Sequence, residues 1–88
     1  MVIKIEIYEL LKAYSMQKKC FKPIYEKYYD ETSPCKESFA KFVSRTKKSS
    51  FQMYWIIHNS TKVGQIWIAT KNDTAILARL FVLPKYQN

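Results

Sequence analysis

Two cysteines and one histidine are the residues of this sequence whose side chains most often carry nucleophilic or metal chemistry. Cys20 and Cys35 do not form a Cys-x-x-Cys pair, and neither forms a cluster with His58. This spacing gives no support to a zinc site or to a thioredoxin-type redox pair. We expect both cysteines to be free thiols, with Cys35 on the apolar side of a helix. The sequence therefore predicts no metal ligands and no nucleophilic residue.

Positive charge is the second feature that bears on function. Fifteen Lys and Arg residues against seven Asp and Glu residues leave a net charge of +8. Such a charge favours an anionic partner, which could be a nucleotide cofactor, a nucleic acid or a membrane surface. The lysines are scattered, however, with short pairs only at Lys18-Lys19 and Lys47-Lys48. Nucleic-acid-binding surfaces normally have denser clusters, so this scatter argues against nucleic acid as the partner.

Length and composition place the chain among small globular domains. Its 88 residues are 48% hydrophobic and 16% aromatic, which is too apolar for a disordered chain. Folding at this length hides about 60–65% of the surface that the unfolded chain exposes. No apolar run approaches the ~20 residues of a membrane helix, and the N-terminus lacks the pattern of a secretory signal. We therefore expect one domain over residues 1–88, with no membrane contact and a cytoplasmic location.

The first third of the sequence predicts one strand and two helices. Apolar and charged residues alternate over residues 2–7, a period of two that is typical of a half-buried strand. Apolar residues then recur at three- and four-residue steps as far as Tyr28, which indicates amphipathic helix. Because a proline inside a helix removes a backbone hydrogen bond, we expect Pro23 to divide this stretch into helices over about 8–19 and 22–29.

A further helix is predicted over about 34–47. Ser33 can cap its N-terminus, and Pro34 suits its first turn. The cations at positions 47–48 suit its carbonyl end. Its apolar residues should form a buried stripe that consists of Cys35, Phe39, Phe42 and Val43.

The rest of the sequence predicts strands. Three runs over about 51–58, 62–70 and 74–83 are rich in aromatic and β-branched residues and are separated by polar turns, which indicates an antiparallel meander. Gly64, the single glycine, predicts a bulge or a close backbone approach. The sequence thus predicts an α+β fold class, with an N-terminal strand, two to three helices and then a three-stranded antiparallel meander.

Three segments carry a resemblance to a known family: Phe21 to Asp30 with Pro34, Lys62 to Ile66, and the run from Leu77 to Gln87, which is the most specific. Together they resemble the GNAT superfamily of acetyl-coenzyme A-dependent N-acetyltransferases, in which an apolar Val-x-Pro strand leads into Gln/Arg-x-x-Gly-x-Gly/Ala and a helix. The resemblance spans nearly the whole chain. Gln87 corresponds to the first residue of that loop. We therefore expect the N-terminal half of such a domain, truncated within the acetyl-CoA-binding motif.

The resemblance implies that acetyl-CoA binds along the last strand. In the family, the corresponding strand binds the pantetheine arm through its backbone, and an amide there polarises the thioester carbonyl, which is an oxyanion-type interaction. For this sequence the resemblance implies cofactor contacts by Leu80, Phe81, Val82 and Gln87. As side chains, we expect Leu80 and Val82 to lie in the core and Phe81 to cover the other face.

The resemblance also implies a primary amine as the acceptor. The family's helix-helix region points to substrate contacts by Tyr25, Tyr28, Tyr29 and Asp30, although at least two of the tyrosines are expected to pack in the core. Many members carry a glutamate base on the last strand, whereas the matching positions here are Ala78 and Arg79. The tyrosine that protonates the departing thiolate in the family would lie beyond residue 88. We therefore predict no catalytic residue in this chain and no activity of the chain alone.

Two functions of different classes remain open. The first is the acetyltransferase fragment. The alternative is a non-catalytic interaction module, in which the exposed edge from Leu77 to Leu83 pairs with a second copy of the chain or with a complementing C-terminal half. A small nucleic-acid binder is the least supported option, because clustered cations are missing.

Overall fold

A four-stranded antiparallel sheet of order β1-β2-β3-β4 is the frame of this α+β fold. The computed structural model describes residues 1–48 and 50–87. In chain order the elements are β1 (Val2–Lys4), α1 (Leu10–Tyr28), α2 (Phe39–Thr46), β2 (Phe51–His58), β3 (Thr61–Lys71) and β4 (Thr74–Val82). The predicted α+β fold class, with an N-terminal strand, two to three helices and then a three-stranded meander, is confirmed, and the number of α-helices is two among the described residues.

The hydrophobic core lies between the two helices and one face of the sheet. The largest fully buried apolar side chains are Trp55, Trp67 and Phe42. Phe42 of α2 packs edge-on against Trp67 of β3, with ring centroids 5.5 Å apart. Ala13 of α1 is fully buried, and its small side chain allows the helix to approach the sheet closely. Aromatic area buried in this way is the main source of stability for so small a domain.

The first strand is shorter than the predicted 2–7. It ends at Lys4, although the Ile5 N–H still donates to the Met53 carbonyl at 3.0 Å. The Glu9 carboxylate accepts the Glu6 N–H at 2.9 Å, and the chain turns through a 3₁₀ segment. Ile7 is consequently 82% exposed. The alternation of apolar residues predicts the strand itself, but a local carboxylate cap ends it early.

Pro23 does not divide the first helix, so the prediction of separate helices over 8–19 and 22–29 is wrong. Helix α1 runs without interruption from Leu10 to Tyr28 and contains Pro23. A proline inside a helix costs about 3 kcal/mol relative to alanine. Packing outweighs this cost here, because Cys20 is buried in the core and Phe21 packs against Phe81 of β4.

No helix of the described chain is long and apolar enough to span a membrane.

The prediction of a continuous helix over 34–47 is also wrong. Ser33 does act as an N-cap, since its Oγ accepts the Cys35 N–H at 3.2 Å. This cap begins only a 3₁₀ turn, however, over Pro34–Lys36. Glu37 is extended, and α2 begins at Phe39 behind a second cap, Ser38. Of the predicted stripe, Phe42 is fully buried, Cys35 is buried, Val43 is half-buried and Phe39 is 39% exposed. The helix is interrupted because the Glu37 side chain turns inward to form an ion pair.

The faces of β4 are the reverse of those predicted. Phe81 is 7% exposed and faces the helices, whereas Leu80 is 56% exposed on the outer face of the sheet, and Val82 is half-buried. Trp67 pairs with Arg79 but the next residue of β3 pairs with Leu77, so Ala78 is an extra, bulged residue. Because side chains alternate along a strand, the register of pairing decides which set is buried.

A bulge and a close backbone approach both occur around Gly64. Ile56 pairs with Gly64 and Ile57 with Lys62, so the intervening Val63 is bulged. A Cβ atom on Gly64 would lie 2.9 Å from the Val82 Cα and closer still to the Phe81 carbonyl oxygen. Strands β3 and β4 can approach each other at this point only because residue 64 has no side chain.

Candidate functional site

The outer edge of β4 presents main-chain groups that no other strand of the described sheet pairs with. Strand β4 is the last strand of the sheet, and the Leu83 N–H donates to the Val63 carbonyl at 2.7 Å. Main-chain groups alternate in direction along an antiparallel strand. The groups of Phe81 therefore face β3, whereas those of Leu80 and Val82 point outward. The Gln87 side chain confirms this direction, since its Nε2 donates to the Val82 carbonyl at 2.8 Å.

The four residues predicted to contact a cofactor thus have different positions. Leu80 and Val82 offer main-chain groups at the open edge. Phe81 is a core residue, with its ring 5.3 Å from the ring of Phe21. Gln87 lies next to the same edge through its bond to Val82.

A basic cleft lies between α1 and the segment that follows β4. It has a volume of about 580 Å³, and its charged lining residues are Lys19, Lys22, Glu26 and Lys85. Three cations against one carboxylate make this cleft positive, and Glu26 is already paired with Lys22 at 3.8 Å. A positive, concave surface of this kind attracts anions such as phosphate groups.

The residues predicted to contact an acceptor lie together at the C-terminal end of α1. Tyr29, with φ of 54°, ends the helix in the left-handed conformation. Tyr28 and Tyr29 are 66% and 70% exposed, so the expectation that at least two of these tyrosines pack in the core is wrong. The Asp30 carboxylate accepts the Thr32 N–H and hydroxyl, at 2.9 and 2.6 Å, which lowers the pKa of Asp30. Both Tyr29 and Asp30 therefore help to reverse the chain.

Tyr25 is the member of this group nearest to other charged residues. It is half-buried, and its hydroxyl donates to a Glu31 carboxylate oxygen at 3.1 Å. The Lys36 ammonium lies 5.2 Å from the centre of the Tyr25 ring. Tyr25 thus contacts residues that line a polar cavity beside α2.

Sequence reasoning missed a buried ion-pair network centred on Glu37. The Glu37 side chain is 5% exposed, and its Oε2 lies 2.5 Å from Arg45 Nη2 of α2. Its Oε1 accepts from Gln17 Nε2 at 3.0 Å and lies 4.0 Å from Arg79 Nη1 of β4. The Tyr14 hydroxyl donates to the Glu37 carbonyl at 2.7 Å. Glu37 therefore links α1, α2 and β4 through charge-assisted bonds.

Arg79 extends this network to the sheet. Its Nη1 donates to the Gln17 Oε1, and its guanidinium lies 4.6 Å from the centre of the Trp67 ring. Trp67 in turn donates to Gln65 Oε1 at 2.9 Å, and Gln65 Nε2 donates to the Ala13 carbonyl at 2.9 Å. Gln17 and Gln65 are both fully buried. Burial and the nearby Arg45 charge lower the pKa of Arg79, while Glu37 raises it.

One signal for this network was available in the sequence. Gln65 lies two residues from both Val63 and Trp67, so in an extended strand it shares a face with them, and a polar side chain on that core face must find buried partners. Glu37 and Arg45 carried no such signal, because the helix predicted over 34–47 made both appear to be ordinary solvent-facing charges.

The two cysteines are buried free thiols, and His58 lies exposed at the end of β2. Cys20 is buried, and burial raises the pKa of its thiol to about 11. His58 is exposed beside Asn59, with Nε2 3.3 Å from the Asn59 amide nitrogen. Within residues 1–48 and 50–87, no group of three or more His, Cys, Asp or Glu side chains could hold a metal ion.

Comparison with known proteins gives one informative result. No family model matches the sequence, and no curated protein matches it. Among solved structures, the chain is similar to the crystal structure of PaiA N-acetyltransferase from Thermoplasma acidophilum in complex with coenzyme A. The TM-score is 0.70 at 21% sequence identity, over 98% of this chain and 60% of that chain. The chain therefore shares its fold with part of that structure, and it spans 60% of the structure's length.

Proposed function

We propose that this chain supplies one wall of an acetyl-CoA-dependent N-acetyltransferase site, for acyl transfer to a primary amine. The observation that carries the proposal is the outer edge of β4, where Leu80 and Val82 direct main-chain groups away from β3. The fold shared with the PaiA N-acetyltransferase supports it, as that protein was solved with coenzyme A. The coenzyme would supply an acetyl thioester.

The residues of β4 fit the role of orienting this thioester. If acetyl-CoA were bound, a main-chain N–H at Leu80 or Val82 would donate to the thioester carbonyl oxygen and would stabilise negative charge on that oxygen during acyl transfer. The three lysines of the basic cleft, Lys19, Lys22 and Lys85, lie beside the end of the same strand and suit the phosphates of the coenzyme. The proposed interaction uses the main-chain groups of Leu80 and Val82 and not their side chains.

We assign no catalytic residue. Glu37 is the buried carboxylate of the described chain, but its two oxygens already accept from Arg45 and Gln17. A carboxylate held in this way stabilises the fold rather than accepting a proton. The outer edge of β4 is also open to water, which weakens any interaction with a developing charge. We therefore propose that the chain alone does not acetylate amines.

The test is a titration of the isotope-labelled chain with acetyl-CoA, followed through backbone amide signals. We expect saturable shifts at Leu80 and Val82, and smaller shifts at Arg79 and Phe81, whose amides face β3. This alternation along one strand is an internal control. A double replacement of Lys19 and Lys22 by Gln should weaken binding, whereas K71Q, which removes a lysine outside the cleft, should not. Absence of shifts at millimolar acetyl-CoA would refute the proposed cofactor site.

A second candidate function, an interaction module, is favoured by the outer face of the sheet. On that face Ile66 pairs with Leu80 and Ile68 pairs with Leu77, and Leu77 and Leu80 of β4 are 54% and 56% exposed. An apolar outer face beside an open strand edge favours association with a second copy of the chain or with a complementing C-terminal half, through Leu77 to Leu83.

Sedimentation equilibrium at rising concentration tests this second function. We expect association that is weakened by L80K, because a charge on the outer face opposes burial. The matched control is I7K, which adds the same charge at a residue that is 82% exposed outside the sheet. A strictly monomeric chain at high concentration, together with no effect of either substitution, would count against the module.

A further inference from the structure

A polar cavity of about 530 Å³ lies between the segment that joins the two helices, α2 itself and Arg79 of β4. Its charged lining residues are four cations and two anions: Lys36, Lys41, Arg45, Arg79, Glu31 and Glu37. This cavity is separate from the open edge of β4, but both include β4 residues, since Arg79 directly precedes Leu80.

The cations of this cavity outnumber the anions. Glu31 is 73% exposed and lies 4.0 Å from Lys36, so it neutralises a surface lysine rather than the interior. Inside, the single carboxylate of Glu37 contacts two guanidinium groups, those of Arg45 and Arg79. The sequence contains no other arginine. One buried carboxylate for two guanidiniums leaves an unmatched positive charge.

The two arginines also keep donors available. A guanidinium carries five N–H donors. Within the described residues, Arg45 uses Nη2 toward Glu37, and Arg79 uses Nη1 toward Gln17 and Glu37. The remaining nitrogens make no hydrogen bond there and are reached by solvent, since none of them is a buried atom without a partner, and the Arg79 side chain as a whole is 18% exposed. The pKa of Arg79 is lowered by burial and by repulsion from Arg45, and a second anion in the cavity would relieve this repulsion.

We propose that this cavity binds the carboxylate of a small ligand, so that the acceptor is an amine that also carries a carboxylate rather than a polyamine. Guanidinium forks match carboxylates in geometry and charge. A polyamine carries several positive charges, which the four cations of the cavity would repel. The identification of the ligand as the acceptor rests on the proposed acetyltransferase function, whereas the carboxylate site itself does not.

The experiment uses the side-chain Nε–H signals of arginine in the labelled chain, which has only two arginines to assign. The probes are L-alanine, L-alaninamide and spermidine. L-Alanine should give saturable shifts of the Arg45 and Arg79 signals at millimolar concentration, and L-alaninamide and spermidine should not. Equal shifts with L-alaninamide, or no shifts with L-alanine up to its solubility, would overturn the proposal.

Two variants keep this test decisive. R45Q should abolish the L-alanine shifts of Arg79, but it also breaks the ion pair to Glu37. K41Q removes a cation from the cavity wall without touching that ion pair, and it should weaken binding severalfold. The matched control is K71Q, which makes the same charge change outside the cavity and should leave the dissociation constant unchanged. Equal weakening by K41Q and K71Q would mean that only net charge matters and would also overturn the proposal.

The outcome is separable from that of the acetyl-CoA titration. If L-alanine binds in the cavity but the Leu80 and Val82 amides do not respond to acetyl-CoA, then the acetyltransferase proposal fails and the carboxylate site stands. If the amides respond and the arginine signals do not, then the cofactor site stands and the acceptor does not bind through a carboxylate.

Discussion

Replacement of Glu37 by Gln tests whether the buried ion-pair network stabilises the fold. The substitution keeps the shape of the side chain and an oxygen that can accept from Gln17, but it removes the negative charge. Arg45 and Arg79 then remain close together with no compensating anion. Their side chains are 32% and 18% exposed, so water can hydrate them only in part.

The expected loss of stability follows from that burial. Removing one partner of a buried ion pair typically costs 3–5 kcal/mol, and partial exposure of the arginines places E37Q at the lower end, at about 3 kcal/mol. A domain of this length has a total stability of about 4–13 kcal/mol. The loss is therefore a large share of the whole. For a domain of this size it should lower Tm by about 12–24 °C.

Urea denaturation followed by tryptophan fluorescence measures this loss. Trp67 is a suitable reporter, because it is fully buried and lies beside Arg79. The matched control is E26Q, which makes the same chemical change in the ion pair of Glu26 and Lys22. The side chains of Glu26 and Lys22 are 60% and 68% exposed. An exposed pair of this kind contributes about 0.5 kcal/mol or less.

A double-mutant cycle identifies the cause of the loss. Combining E37Q with R45Q should give a coupling of about 2 kcal/mol, since the second substitution removes a charge that the first left unpaired. If E37Q costs no more than E26Q, or if the cycle gives no coupling, then the ion pairs of Glu37 do not hold the helices to the sheet.

Three further predictions concern packing, pH and thiol chemistry. G64A should destabilise the fold by about 2–3 kcal/mol in urea titrations, because its Cβ would overlap the carbonyl oxygen of Phe81; an unchanged midpoint would contradict the close strand approach. The Lys62 hydrogen bond lowers the pKa of Glu9 from 4.5 to about 2, so its stabilisation is complete above about pH 4.5 and is lost as pH falls toward 2. We expect about 1 kcal/mol for this partly exposed pair, and K62M should flatten the acid unfolding curve in that window. With the other cysteine replaced by serine, iodoacetamide should modify Cys20 at pH 8 about a hundredfold more slowly than a thiol of pKa 9; rapid labelling of folded protein would refute its burial.

The strands and their connections could be predicted because their signals are local. Alternating and β-branched residues favour extended backbone wherever they occur. Turn residues supply the other local signal, since Asn59 and Ser60 have φ of 49° and 63°, and Asn72 and Asp73 have φ of 50° and 64°. Two-residue hairpin turns of type I′ require positive φ at two successive residues, which asparagine and aspartate adopt more readily than most. The α+β fold class and the order of its elements follow from these signals.

Tertiary structure decided the helix boundaries, the faces of β4 and the polar network. Packing of Phe21 against Phe81 holds α1 together across Pro23, and the bulge at Ala78 sets which β4 side chains are buried. Neither effect is visible in a short window of sequence. The same holds for Glu37, which lies 20 residues from Gln17 and meets Arg79 only when β4 joins the sheet. Glu37 and Arg79 come together only in the folded protein. This long-range ion pair interrupts a helix that local propensity predicts.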